Sequence, residues 1–260
     1  CGGGQTPHGW LACEETRDPG HGWVFLCDPA ADGLREPVRI GAYGRMRHEA
    51  AVLDASSGRA WLTEDEPDGC LYRYVPDDPT EPFGPGRLQA LAVDGLTDTT
   101  PLATGTVLDV SWVDLPPTDG TLRSEAAGLG AARFARGEGA WLRDGRLVFT
   151  ATSGGPALAG QIFALDVESD VLTVLYASAD LDDLLRPDNL TILADGRVVV
   201  CEDHGCPCRL HVLGSDGSLT PIARSVLEGD ELAGVCPSPD GRVLFVNLYR
   251  TGVTLAIMGL

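Results

Sequence analysis

The chain has 260 residues and a formal net charge of −19, with 38 Asp and Glu set against 19 cations, every one of them Arg. Without Lys there is no Schiff-base lysine, P-loop lysine or pyridoxal-phosphate site, and so acidic a chain lacks the basic face a nucleic-acid partner needs. A hydrophobic content of 43% excludes disorder, while no apolar run approaches the roughly 20 residues of a membrane span.

Taken in chain order, strand-forming runs fall at 22–27, 70–75, 108–113, 161–166, 172–177, 209–213 and 252–257. Between them one turn recurs: Ser57-Gly58-Arg59, Asp144-Gly145-Arg146, Asp195-Gly196-Arg197 and Asp240-Gly241-Arg242, each followed by a strand-forming run. The glycines are 87, 51 and 45 residues apart, the first interval being close to two periods in the forties. A repeat of that length carrying several short strands is the spacing of a β-propeller blade. The sequence therefore predicts one all-β domain over 1–260, a propeller of five to six blades with six preferred. Residues 178–185 carry the best helical periodicity, and 115–133, rich in Pro, Gly and Ala, reads as an extended loop.

The acids follow the hairpins. Glu49, Glu138, Asp188 and Glu231 stand 9, 7, 8 and 10 residues ahead of glycines 58, 145, 196 and 241. A hairpin puts the start of its first strand beside the end of its second, and the outgoing strands end at Glu64-Asp65, Thr150, Glu202-Asp203 and Asn247. In a propeller the first strand of each blade lines the central channel. Four blades thus aim a carboxylate at one end of the axis, and Glu14-Glu15 can add a fifth. Carboxylates crowded in a low-dielectric pocket must be protonated or filled by cations, and all-oxygen ligands select hard ions such as calcium, magnesium or ferric iron.

These residues sit in motifs that resemble the PhoX-type alkaline phosphatases. The opening Cys1-Gly2-Gly3-Gly4-Gln5-Thr6-Pro7-His8-Gly9-Trp10 through Glu14-Glu15 is followed in the family's order by Arg47-His48-Glu49-Ala50, Leu62-Thr63-Glu64-Asp65, Arg136-Gly137-Glu138-Gly139, Pro187-Asp188-Asn189-Leu190, Cys201-Glu202-Asp203 and Glu231-Leu232-Ala233-Gly234. The resemblance implies a propeller that hydrolyses phosphomonoesters outside the cytoplasm with a cofactor of ferric iron and calcium. It implies Cys1 as a thiolate ligand to iron and Glu15, Glu49 or Glu64, Glu138, Asp188 and Glu231 as carboxylate ligands, with Glu202 as a further candidate. Arg136 becomes the phosphate clamp, because its planar fork suits a pair of phosphoryl oxygens. Export through a removed signal segment, a small phosphate-ester substrate and a monomeric state follow from the same resemblance. Gly137 stands where the family usually has Pro, His8 where an aromatic is usual, and the opening segment is one residue shorter.

Rival readings attach to three features. Cys1 can be the acylated cysteine of a lipoprotein. Cys201, His204, Cys206 and Cys208 put four soft ligands in eight residues, but in a spacing that fits no common zinc module. Pro187-Asp188-Asn189 also resembles calcium lactonase propellers, and a non-catalytic interaction propeller would need none of these acids. His48 reads as a support for Glu49 or a surface residue more than as a general acid. Ser153-Gly154-Gly155 lacks a nucleophile elbow.

Overall fold

The computed structural model describes residues 2–117, 122–204 and 207–259. Blade 1 is the antiparallel sheet of β1 (Gly4–Thr6), β2 (Gly9–Cys13), β3 (Val24–Cys27) and β4 (Val38–Arg39). Blade 2 begins with β5 (His48–Leu53), β6 (Ala60–Glu64), β7 (Gly69–Pro76) and β8 (Gly86–Ala92). The chain then forms β9 (Val107–Asp109), β10 (Ser111–Asp114), the helix α1 (Leu122–Gly128) and β11 (Arg133–Phe134). Blade 3 is built on β12 (Gly137–Arg143), β13 (Arg146–Ala151), β14 (Gln161–Asp166) and β15 (Val171–Ala177). Blade 4 comprises β16 (Pro187–Ile192), β17 (Val198–Glu202), β18 (Arg209–Leu213) and β19 (Leu219–Arg224), and blade 5 comprises β20 (Leu232–Pro237), β21 (Val243–Leu248) and β22 (Val253–Met258).

The described residues thus form a propeller of five blades, without the preferred sixth. The reason lies in the 87-residue interval. Strands β9 and β10 are three and four residues long, separated only by Val110, and neither starts a sheet: β10 pairs with β8 at the outer edge of blade 2, and β9 pairs with β15 at the outer edge of blade 3. The segment bridges two blades instead of making one. The predicted strand at 108–113 is split accordingly, whereas those at 161–166 and 209–213 coincide with β14 and β18.

The helix lies where a loop was expected. In α1, Leu122 and Ala126 are buried four residues apart on one face. Residues 178–185 are turn and coil instead, since the Asp180 side chain accepts from the Asp182 amide at 2.8 Å. A side chain that satisfies the backbone locally competes with a helix, and Pro187 follows closely.

Apolar side chains pack between neighbouring blades. Between blades 2 and 3, Phe134, Phe149 and Phe163 are fully buried with ring centroids 5.1–5.2 Å apart, each ring contributing about 1.5–3 kcal/mol. A second core joins β17 and β18 to β20 and β21 through Val199, Leu210, Val235 and Val246. Between the first strands of the blades lies a cavity of about 630 Å³, lined by Gly2–Thr6, Ala50–Leu53, Ala140–Leu142, Asn189, Leu190 and Gly234–Cys236. This is the central channel, and the first strands line it as the hairpin register predicts.

Candidate metal centre

Three first strands enter the channel through the same irregularity. In blade 2 the register slips between His48 and Ala51, in blade 3 between Gly137 and Ala140, and in blade 4 between Pro187 and Leu190. Each slip is a β-bulge, two residues facing one, and a bulge re-aims the side chain it carries. The bulged residues are Glu49, Glu138 and Asp188. One carboxylate oxygen from each lies within 4.8 Å of the other two.

The bulges meet because small and hydroxyl residues let them. A Cβ on Gly139 would fall 2.7 Å from Asn189 Cα, so blades 3 and 4 approach this closely only through glycine. Thr63 Oγ1 donates to the Glu138 carbonyl at 2.5 Å, and Thr150 Oγ1 donates to the Asp188 carbonyl at 2.7 Å. At the other flank the Gly2 and Gly3 amides donate to the Glu49 carbonyl at 2.8 and 2.9 Å. Cys1 itself lies outside the described residues, so the thiolate expectation stays a sequence inference.

Two further predicted acids join the rim. Glu15 hydrogen-bonds Glu49 and accepts from Arg47 Nη2 at 2.5 Å. Glu231 hydrogen-bonds Asp203, which in turn lies beside Asp188. Glu231 does not occupy the position equivalent to the central three. In blade 5 the slip lies between Ala233 and Cys236, so the matching bulge residue is Gly234, three positions later.

The structure does not bring Glu64 or Glu202 into the cluster. Glu64 accepts from Tyr72 Oη at 2.7 Å and Arg123 Nη1 at 2.9 Å. Glu202, with a side-chain exposure of 0%, accepts from Arg209 Nε and Nη2, from the Leu185 and Arg209 amides at 2.9 and 2.8 Å, and faces Nε2 of His204 and His211. Burial alone would raise its carboxyl, but the bonds from His211 and Arg209 pull it down to about 2. The residues turned to the cluster side are the next ones, Asp65 and Asp203, which lie just past the ends of β6 and β17 and whose charges act on Glu138 and on Asp188. The recurring Glu-Asp pairs at 64–65 and 202–203 carried that signal.

The electrostatics match the crowding. Burial pushes the Glu49 carboxyl up to about 8 and Asp188 to about 6, and raises Glu138 strongly, with neighbouring acids adding to each. A cation among them would relieve the same repulsion between neighbouring acids that a proton relieves. The donor set is all oxygen and suits hard ions. Arg136, predicted as the phosphate clamp, stands at the edge: its Nη2 donates to Glu138 Oε1 at 3.0 Å and its Nε to Asp65 Oδ1 at 2.7 Å.

The zinc reading loses its geometry among the described residues. Cys201 is buried in the core between blades 4 and 5, the His204 ring faces Glu202, and Cys208 Sγ donates to the His204 carbonyl. Cys206 lies outside the described residues. The six described cysteines are free thiols. His48 is buried with Nε2 3.2 Å from the Gly44 carbonyl, away from the cluster, and burial lowers it to about 4.

Comparison with known proteins follows this geometry. The chain resembles the solved PhoX of Pseudomonas fluorescens in complex with vanadate, a transition-state analogue, at 20% identity and a TM-score of 0.70, over 87% of this chain and 52% of that one. It thus spans about half the length of that protein. A nidogen/laminin complex matches at 10% identity and TM-score 0.54 over 96% of this chain and 78% of that one. A gluconolactonase of Xanthomonas campestris, XC5397, matches at 15% and 0.51 over 91% and 64%. These likenesses establish the propeller fold. No curated protein matches the chain. The model of the family described as alkaline phosphatase PhoX matches residues 1–252, and the chain belongs to that family.

Proposed function

We propose that the protein is a metal-dependent phosphomonoester hydrolase whose axial carboxylate cluster holds the ions and whose Arg136 binds the phosphoryl group. The observation that carries this reading is the convergence of Glu49, Glu138 and Asp188 in three equivalent bulges with a guanidinium at their edge. Glu15, Glu231 and Asp203 would extend the ligand shell, and Cys1 would add a thiolate. By family resemblance the ions are ferric iron and calcium. When bound, they neutralise phosphoryl oxygens and stabilise the charge that develops during in-line displacement.

The chain's own residues prepare the substrate's place. Arg136 uses Nε and Nη2 on Asp65 and Glu138, which leaves Nη1 for a phosphoryl oxygen. Its orientation is set before substrate arrives, so less freedom is lost on binding. The threonine ties hold the bulges against the mutual repulsion of their acids. The bound vanadate in the Pseudomonas relative belongs with this reading of the site. A small phosphate ester as substrate, action as a monomer and export from the cytoplasm complete the proposal; among the described residues no helix is long and apolar enough to cross a membrane.

Elemental analysis of purified protein together with turnover of p-nitrophenyl phosphate at alkaline pH tests it. Iron and calcium with phosphatase turnover are expected, and Cys1→Ser should remove a visible thiolate-to-iron absorption. Calcium alone with lactone hydrolysis would favour the lactonase reading that Pro187-Asp188-Asn189 also suggests. Neither metal and no turnover would leave an interaction propeller.

A further inference from the structure

Asp65 lies just past the end of β6, and its side chain has an exposure of 2%. Two guanidiniums share it. Arg136 forks onto it, Nε to Oδ1 at 2.7 Å and Nη2 to Oδ2 at 3.1 Å. From the other side Arg47 Nη1 lies 3.0 Å from Oδ2 and also donates to the Asp65 carbonyl at 2.7 Å. The pairing continues outward: Arg47 reaches Glu15, and Arg136 reaches Glu138. The result is an alternating row, Glu15, Arg47, Asp65, Arg136, Glu138, whose two ends belong to the carboxylate cluster.

The row is built, not incidental. Arg136 has a left-handed backbone at φ 60°, a conformation that costs an L-residue about 1–2 kcal/mol. It is pinned by its own amide on the Glu66 carbonyl at 2.8 Å and by the Thr152 amide on its carbonyl at 2.9 Å. The side chains of Arg136 and Arg47 are 32% and 30% exposed, whereas Asp65 is closed off. A buried carboxylate carrying two half-open guanidiniums cannot itself meet substrate. It can fix where both cations stand, and charge-assisted forks are the strong, directional hydrogen bonds.

We infer that Asp65 is a positioning residue: it seats Arg136 and Arg47 as a pair of guanidiniums for one phosphoryl group at the edge of the carboxylate cluster. This rests on the reading of Arg136 as the phosphate clamp. Without Asp65 the two cations, no longer joined, repel each other, and each must be ordered by the ligand at its own entropic cost. Asp65 therefore acts on phosphate affinity and leaves metal content alone.

The test measures inorganic phosphate binding to the metal-loaded protein by calorimetry, with metal content and KM and kcat for an aryl phosphate alongside. Asp65→Asn, Arg136→Ala and the double variant are compared. Asp65→Asn is expected to keep its metals, to weaken phosphate binding and raise KM at least tenfold, and to change kcat less than about threefold. In the Arg136→Ala background the same substitution should weaken binding by much less, because half of what Asp65 seats is already gone. If Asp65→Asn does not fold, Arg47→Gln, at a partly exposed site, must weaken phosphate binding with metals retained. Arg136→Ala weakening phosphate while Asp65→Asn or its Arg47→Gln substitute does not, or effects that multiply in full, would overturn the inference and spare the clamp. Arg136→Ala without effect on phosphate would overturn the clamp and the inference with it. Loss of metal in Asp65→Asn would make Asp65 a support of the cluster and also overturn it.

Discussion

Thr63, the residue of blade 2 that faces the Glu49 bulge, donates its hydroxyl to the main-chain carbonyl of Glu138 in blade 3, 2.5 Å away. The same hydroxyl accepts from the Ala50 amide at 2.9 Å. One oxygen therefore fastens two bulges, and Thr150 repeats the tie from blade 3 to Asp188 in blade 4. The convergence of acids depends on these hydroxyls, because the bulges leave main-chain groups that the sheets cannot satisfy.

Thr63→Val keeps the shape and removes the hydroxyl, leaving the Ala50 amide and the Glu138 carbonyl buried without it. The expected loss is about 1–3 kcal/mol per unsatisfied group, read as a lower urea midpoint. Thr63→Ser should recover most of it. Equal stability of Thr63→Val and the native chain would remove the tie from the account.

Glu138 and Arg136 are two residues apart, yet the proposed function gives them separable roles. Glu138→Ala should lose metal and activity together, since one of the three carboxylates proposed to hold the ions is gone. Arg136→Ala should keep its metals and lose about 10²-fold in kcat/KM, the scale of removing one preorganised donor from developing charge. Metal analysis beside steady-state kinetics distinguishes them, and two variants with native metal and native turnover would contradict both roles.

The carboxyl groups also predict the pH response of metal-free protein. Folding raises Glu49 from 4.5 to about 8 and Glu231 from 4.5 to about 7, burial being the first cause of each. A carboxyl raised on folding contributes stability that is complete below its unfolded value and lost as pH rises through the folded one. His48 acts oppositely at lower pH: burial lowers it from 6.5 to about 4, so the fold loses stability as pH falls through that range. Stability of EDTA-treated protein should therefore decline between about pH 6.5 and 8, where only the carboxyls act. Bound calcium or iron should flatten the decline by replacing protons. Calorimetric melting temperatures that stay level without metal would contradict this.

Glu202 offers the reverse test, as a carboxylate held by the Arg209 guanidinium and two imidazole rings. Glu202→Gln should cost about 3 kcal/mol or more by leaving Arg209 and His211 poorly partnered in a buried place, with native metal content. Metal loss at unchanged stability would return Glu202 to the ligand set.

The order of strands and the channel were legible because Gly-Arg turns mark the first hairpin of blades 2 to 5 and count back to its acid. Glu49, Glu138 and Asp188 were found that way. Glu231 was placed beside them by the same count, but a bulge adds a residue that counting does not see, and Gly234 holds its place. Glu64 and Glu202 were favoured over Asp65 and Asp203 because a strand end shows which residues are there and not which face each takes. The expected sixth blade, absent among the described residues, had the same origin: 108–113 read as one strand, but it divides into β9 and β10, and which edge each joins is a tertiary choice.

The central claim is that Glu49, Glu138 and Asp188 are drawn together to hold cations. Anomalous diffraction from crystals of metal-loaded protein, collected at and below the iron edge, tests it most directly. The account predicts strong peaks within coordination distance of oxygens from all three carboxylates, with iron-specific signal among them. Crystals grown with both metals that show no peak there, and carboxylates that instead share protons or separate, would contradict it.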